Sequence, residues 1–179
     1  RQTYGCRLIQ KIITTTENKD PDIKIKHSIL KELHGKTIKC LKNSNGHHVI
    51  EKILQYCPCD ISSFILKEII PNLMCLATDP FGCQIVELIL RKFDIKSKLM
   101  KELMKTITLN ICEMSKHKYG NYIIQDVIES SPVIIQDKMF KEIFSDIISL
   151  ACNKYSSNVV EKSIYLSSSK RRRKLIRYL

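Results

Sequence analysis

The chain has 179 residues, with 30 Lys and Arg against 18 Asp and Glu, so its formal charge is +12. That length is enough to bury a core as one domain or a modest array, and the charge points toward an anionic partner such as nucleic acid or a membrane surface, with a generally lysine-rich composition as the plain alternative. No apolar run approaches the ~20 residues needed to span a bilayer, and no signal-peptide pattern opens the chain, although a start at Arg1 is compatible with residues upstream.

In chain order, the first helical pattern is TYGCRLIQKII (3–13). The polar stretch TTTENKDPD (14–22), with Pro21 in it, reads as an inserted surface loop. SNGHHVIEKIL (44–54) then repeats the opening helix. DISSFILKEIIPNLMCLATD (60–79) starts on a helix N-cap candidate, Asp60, and carries apolar residues at helical spacing until Pro71 divides it into two helices. PFGCQIVELIL (80–90), KYGNYIIQDVI (118–128) and KYSSNVVEKSI (154–164) are further copies of the first pattern. The segments between them, 96–115 and 136–155, show the same two-part apolar pattern, with Asn110 and Asp146 near their middles. The tail YLSSSKRRRKLIRYL (165–179) is long enough for one more helix.

The residue after the Gly or Ser marks each copy: Cys6, His47, Cys83, Asn121 and Ser157, at steps of 41, 36, 38 and 36 residues. A near-constant period in this range signals stacked helical units. Each unit is about three helices, and no segment alternates with period two for long enough to argue a sheet. One unit cannot bury its apolar face alone, so neighbours must stack into a solenoid. The pairs Leu8/Ile9, Val49/Ile50, Ile85/Val86, Ile123/Ile124 and Val159/Val160 recur two and three places past the marker and are assigned to the core.

Eight cysteines are present, several inside apolar helical patterns where a reduced thiol is a small core residue. Cys57 and Cys59 form the single close pair, without a second pair at zinc-ligand spacing, so no metal or other cofactor is expected and the chain reads as a reduced intracellular protein.

The marker, the next residue and the one four along avoid large aliphatics in every unit. They are Cys6-Arg7-Gln10, His47-His48-Glu51, Cys83-Gln84-Glu87, Asn121-Tyr122-Gln125 and Ser157-Asn158-Glu161. Solvated helix positions account for any one such triple. Five in register, always closing on Gln or Glu, form a ladder along one face of the stack.

These strings, above all YGCRLIQ, YGNYIIQ and SNVVEK, resemble the Pumilio-type RNA-binding repeats over essentially the whole chain. The resemblance implies an all-α, curved right-handed-type solenoid of about five three-helix units with incomplete ends, 1–179 being one repeat domain within a longer array or a reduced member. It implies single-stranded RNA as partner, one base per unit. The first and third residues of each triple would contact the base edge: Cys6, Gln10, His47, Glu51, Cys83, Glu87, Asn121, Gln125, Ser157 and Glu161. The second would stack: Arg7, His48, Gln84, Tyr122 and Asn158. Gln offers donor and acceptor side by side, and ionised Glu offers acceptors alone, which suits guanine. By the same resemblance Cys6/Arg7/Gln10 reads A, Asn121/Tyr122/Gln125 reads U and Ser157/Asn158/Glu161 reads G. The RNA runs antiparallel, with a core 5′-GUnnA-3′. Glu51 and Glu87 either bias their units toward G or weaken selection, and the sequence leaves that open.

The family further implies 3′-UTR recognition for mRNA repression or decay, as a monomer in the cytoplasm, with the nucleus or nucleolus as alternative compartments, and with translational repressor or deadenylase proteins as partners. The run Lys170–Lys174 reads equally as a phosphate contact, a nuclear signal or a solvated basic face. A nucleolar ribosome-assembly relative and a peptide-binding armadillo or HEAT solenoid are the alternatives; three intact triples disfavour the first and the fixed triple disfavours the second. The five histidines form no ligand pattern, and no nucleophile motif or phosphate loop appears, so an enzyme is not expected.

Overall fold

A computed structural model describes residues 2–175, and among these every regular element is helical. The marked patterns form α1 (Gln2–Thr15), α4 (Gly46–Tyr56), α7 (Pro80–Lys92), α10 (Gly120–Ser130) and α13 (Ser156–Leu166). Each of the last four follows a five-residue helix: α3 (Thr37–Leu41), α6 (Leu73–Ala77), α9 (Ile111–Ser115) and α12 (Ile147–Ala151). The third helices of the units are α2 (Asp22–Leu33), α5 (Cys59–Ile69), α8 (Lys98–Leu109) and α11 (Val133–Ser145), and α14 (Ser169–Leu175) follows the last marked helix.

Stacking makes two rows. Each marked helix packs on the next, α1 on α4, α4 on α7, α7 on α10 and α10 on α13, while α2, α5, α8 and α11 line up behind them. The core lies between the rows. The pairs Val49/Ile50, Ile85/Val86, Ile123/Ile124 and Val159/Val160 are all buried in it. The first pair is the exception: Leu8 is 63% exposed and Ile9 half-buried. Its counterparts lie on marked helices that each pack on a preceding short helix, and the described residues include none ahead of α1. None of the described helices is long and apolar enough to cross a membrane.

Local chemistry explains where the helices break. Pro71 sits in a 3₁₀ turn, Ile70–Asn72, which separates α5 from α6 as expected of a residue without an N–H. Asp60 does not cap α5; that helix begins at Cys59 after Pro58, and Asp60 lies in its first turn, where its charge suits the positive helix end. The expected loop over 14–22 is shorter than its polar composition suggested, because α1 runs through Thr15 and α2 begins at Asp22. Within it Asn18 ties the loop down, donating to the Tyr56 carbonyl at 3.1 Å and accepting from the buried Lys26 at 2.8 Å. The Glu68 carboxylate on α5 ties down the start of α3 by accepting from the backbone N–H groups of Gly35 (2.7 Å) and Thr37 (3.0 Å).

The Gly before the second, third and fourth markers has a packing reason. At Gly82 a Cβ would fall 2.4 Å from the Leu76 carbonyl oxygen, so only glycine lets α7 lie this close to α6. Gly46 and Gly120 meet the carbonyls of Cys40 and Met114 in the same way. The last unit carries Ser156 instead, and its hydroxyl donates to the corresponding carbonyl, that of Leu150, at 2.7 Å. A hydrogen bond there replaces the closest approach.

Candidate nucleic-acid interface

The row of marked helices brings all five triples onto one face, one triple per helix. Every second residue is exposed: Arg7, His48, Gln84, Tyr122 and Asn158. Tyr122, at 57% exposure, presents its ring to solvent where a base can lie on it. The outer residues differ from one unit to the next.

In the fourth unit Asn121 is 1% exposed. Its amide turns back on its own helix, donating to the carbonyls of His117 (2.9 Å) and Lys118 (2.8 Å), while its Oδ1 accepts from Gln125 Nε2 at 3.0 Å. Short polar side chains near a helix start bond locally in this manner. Asn121 thereby orients Gln125, which keeps its carbonyl oxygen and second amide hydrogen to offer outward. A donor next to an acceptor matches the N3–H and a carbonyl of uracil.

In the fifth unit Ser157 is small and half-buried, its hydroxyl donating to the Lys154 carbonyl at 3.3 Å, while Glu161 stands exposed. Tyr122, Gln125, Asn158, Glu161, Tyr165 and Arg172 line an open groove between the last two units and α14. Lys170, Arg172 and Arg173 of the basic run are exposed; the side chains of Arg171 and Lys174 lie outside those described.

In the third unit Cys83 is buried, and its thiol donates to Glu87 Oε1 (3.3 Å) and to the Tyr119 carbonyl of the next unit (3.4 Å). Burial first, and then the Glu87 carboxylate, push this thiol up to about 12, so it stays a neutral donor. In the second unit His47 is buried and stacks on Phe81 of the third. In the first, Cys6 and Gln10 are half-buried beside the exposed Arg7.

Polar clasps register the units. Arg91 pairs with Asp126 at 3.0 Å, which raises the guanidinium pKa further through that hydrogen bond and charge. Lys162 pairs with Glu129 at the equivalent step, with the signs exchanged. Lys92 donates to the carbonyls of Leu54 and Cys57, and burial lowers its pKa. Phe81 was not among the residues expected at this face. Its signal was present, since an aromatic precedes the glycine or serine in four of the five units, as Tyr4, Phe81, Tyr119 and Tyr155.

The sequence matches the Pumilio-family RNA binding repeat (PUF) over residues 1–20, 40–70, 72–104, 110–144 and 146–179. It is 32% identical to Pumilio homolog 12 of Arabidopsis thaliana over 176 residues, 98% of this chain and 28% of that protein. It is 24% identical to Fem-3 mRNA-binding factor 2 of Caenorhabditis elegans over 178 residues, 89% of this chain and 28% of the relative. Its fold superimposes on that of PUF-8 in complex with PBE-RNA with a TM-score of 0.81 at 24% identity, covering 97% of this chain and 49% of the other. The Puf3 RNA binding domain bound to a Cox17 RNA 3′ UTR recognition sequence (site A) matches with a TM-score of 0.78 at 26% identity, over 94% of this chain and 49% of the other. The chain thus spans about a quarter of these curated relatives and half of these solved domains. Its fold is the PUF solenoid, and the chain belongs to the Pumilio family of RNA-binding repeat proteins, a family of binders and not of enzymes.

Proposed function

We propose that this chain binds single-stranded RNA along the row of α1, α4, α7, α10 and α13, one base per unit. The RNA runs antiparallel, so that Ser157, Asn158 and Glu161 take the 5′ base of a 5′-GUnnA-3′ core. The observation that carries the reading is the Asn121–Gln125 hydrogen bond, which holds a donor–acceptor edge outward beside the exposed Tyr122 ring. In the fifth unit the acceptor-only Glu161 suits guanine, whose N1–H and N2–H₂ are adjacent donors. Recognition of 3′-UTR elements, with repression or decay of the mRNA through recruited repressor or deadenylase proteins, is the role we assign to a monomeric chain in the cytoplasm. The mRNA-binding and 3′ UTR-bound relatives support it.

Transplanting the fourth triple into the fifth unit tests the reading. In Ser157→Asn, Asn158→Tyr and Glu161→Gln together, the new Asn meets the carbonyls of Asn153 and Lys154, equivalent to those that hold Asn121. The buried Val159 and Val160 are untouched, so the fold should persist. A matched base contact is worth about 1–3 kcal/mol by analogy with DNA readout, so each protein should prefer its own RNA, G or U at that position, by about tenfold or more. A folded triple variant that still prefers G would refute base reading by these residues.

A further inference from the structure

The second unit holds its reading residues in a way the others do not. The His47 ring is 6% exposed, with Phe81 of the third unit stacked on it at 3.9 Å between centroids and 19° between planes. The His48 ring lies against it as well, at 3.9 Å and 42°. Nδ1 of His47 donates to the Asn43 carbonyl at 3.2 Å, which fixes the tautomer and leaves Nε2 an acceptor. Its acidic companion is equally engaged: Glu51 Oε1 accepts from Gln55 Nε2 at 3.1 Å, and Oε2 accepts from His48 Nδ1 at 3.3 Å. Lys52 in turn donates to Gln55 Oε1 at 2.9 Å, closing the set.

Each Glu51 oxygen already accepts one hydrogen bond, so a donor on a base would share the carboxylate with His48 and Gln55 and gain less than at a bare carboxylate. A base that sought His47 would have to reach a residue that is 6% exposed, with the Phe81 and His48 rings against it. Differences among the four bases are therefore small at this unit, whereas Glu161 of the fifth stands exposed.

We propose that Phe81 is a specificity-determining residue acting across the unit boundary: by clamping His47 it closes the edge of the second unit, which then holds its base through His48 without selecting it. This deepens the RNA reading above and rests on it. The fourth base of 5′-GUnnA-3′ becomes a tolerant position, and the residue responsible lies in the neighbouring repeat, outside the triple.

The test is a fluorescence-polarisation titration of eight short RNAs, four varied at the first base and four at the fourth. Wild type should discriminate about tenfold or more at the first base and within about twofold at the fourth, the low end of what one net hydrogen bond gives. His47→Ala should leave the fourth-base ratios as they were, whatever it does to overall affinity. Phe81→Ala should widen them by uncovering the His47 ring. If that variant does not fold by circular dichroism, Phe81→Val, smaller and without the ring, serves the same comparison. Strong fourth-base selection in wild type, its collapse in His47→Ala, or unchanged ratios on loss of the Phe81 ring each overturns the proposal while first-base selection stands. Absence of selection at the first base overturns the RNA reading and this inference with it.

Discussion

In the three middle units the glycine ahead of the marker sets how closely a reading helix lies on its short partner, and Gly82→Ala probes that contact. The added Cβ would sit 2.4 Å from the Leu76 carbonyl oxygen, 2.8 Å from its Cα and 2.9 Å from its carbonyl carbon. Ordinary contact begins at 3.4 Å, so α7 must lift by 3.4 − 2.4, or about 1 Å, and the neighbours are backbone atoms that cannot swing aside. Overpacking of this kind costs about 1–3 kcal/mol. Removing a helical glycine offsets about 0.5–1 kcal/mol of it, so a net loss of up to about 2.5 kcal/mol, centred near 1, is expected. Gly5 is the matched control, since nothing lies within 4 Å of a Cβ there. In this chain Gly5→Ala should keep or raise stability, by up to about 1 kcal/mol. Urea unfolding followed by far-UV circular dichroism compares the two midpoints. If Gly82→Ala unfolds together with wild type, or if Gly5→Ala loses as much, the close-approach argument is wrong.

Other substitutions follow from burial. Ile124→Asp places an unpaired charge where exposure is 0% and should cost at least about 4 kcal/mol, whereas Leu8→Asp, at an exposed site, should stay within about 0.5 kcal/mol; equal midpoints for the two would contradict the assigned core. Tyr122→Ala should weaken RNA binding by about 1–3 kcal/mol through lost stacking, with an unchanged circular dichroism spectrum. Alkylation at mildly alkaline pH, read by peptide mass spectrometry, should label the exposed Cys59, Cys75 and Cys152 first and the buried Cys57 and Cys83 last. Because the folded-state pKa of Cys83 is raised from 9.0 to about 12, its contribution to stability is intact below pH 9 and is lost as pH rises toward 12. The Cys83→Ala variant should therefore show a shallower fall in its urea midpoint above pH 9.

Most of the architecture was legible in the chain because it is local and repeated. Apolar spacing gave the helices, Pro71 the break between α5 and α6, and the recurrence of one pattern at five markers gave both the stacking and the ladder of triples. A repeat array suits such reading, since each unit contacts chiefly its neighbours and the same solution recurs. What the chain by itself left undecided lies at the contacts between units. Leu8 has the same local pattern as Val49 and Ile123, yet it is exposed, because burial depends on a helix supplied by the preceding unit. His47 holds the marker position like Asn121, but its ring is buried against Phe81, thirty-four residues further on. The requirement for glycine at 82, and its replacement by a hydroxyl at 156, follow from the distance to a carbonyl six residues back that only the folded packing sets. Helical periodicity determines which face a residue occupies; what meets that face is decided when the units stack.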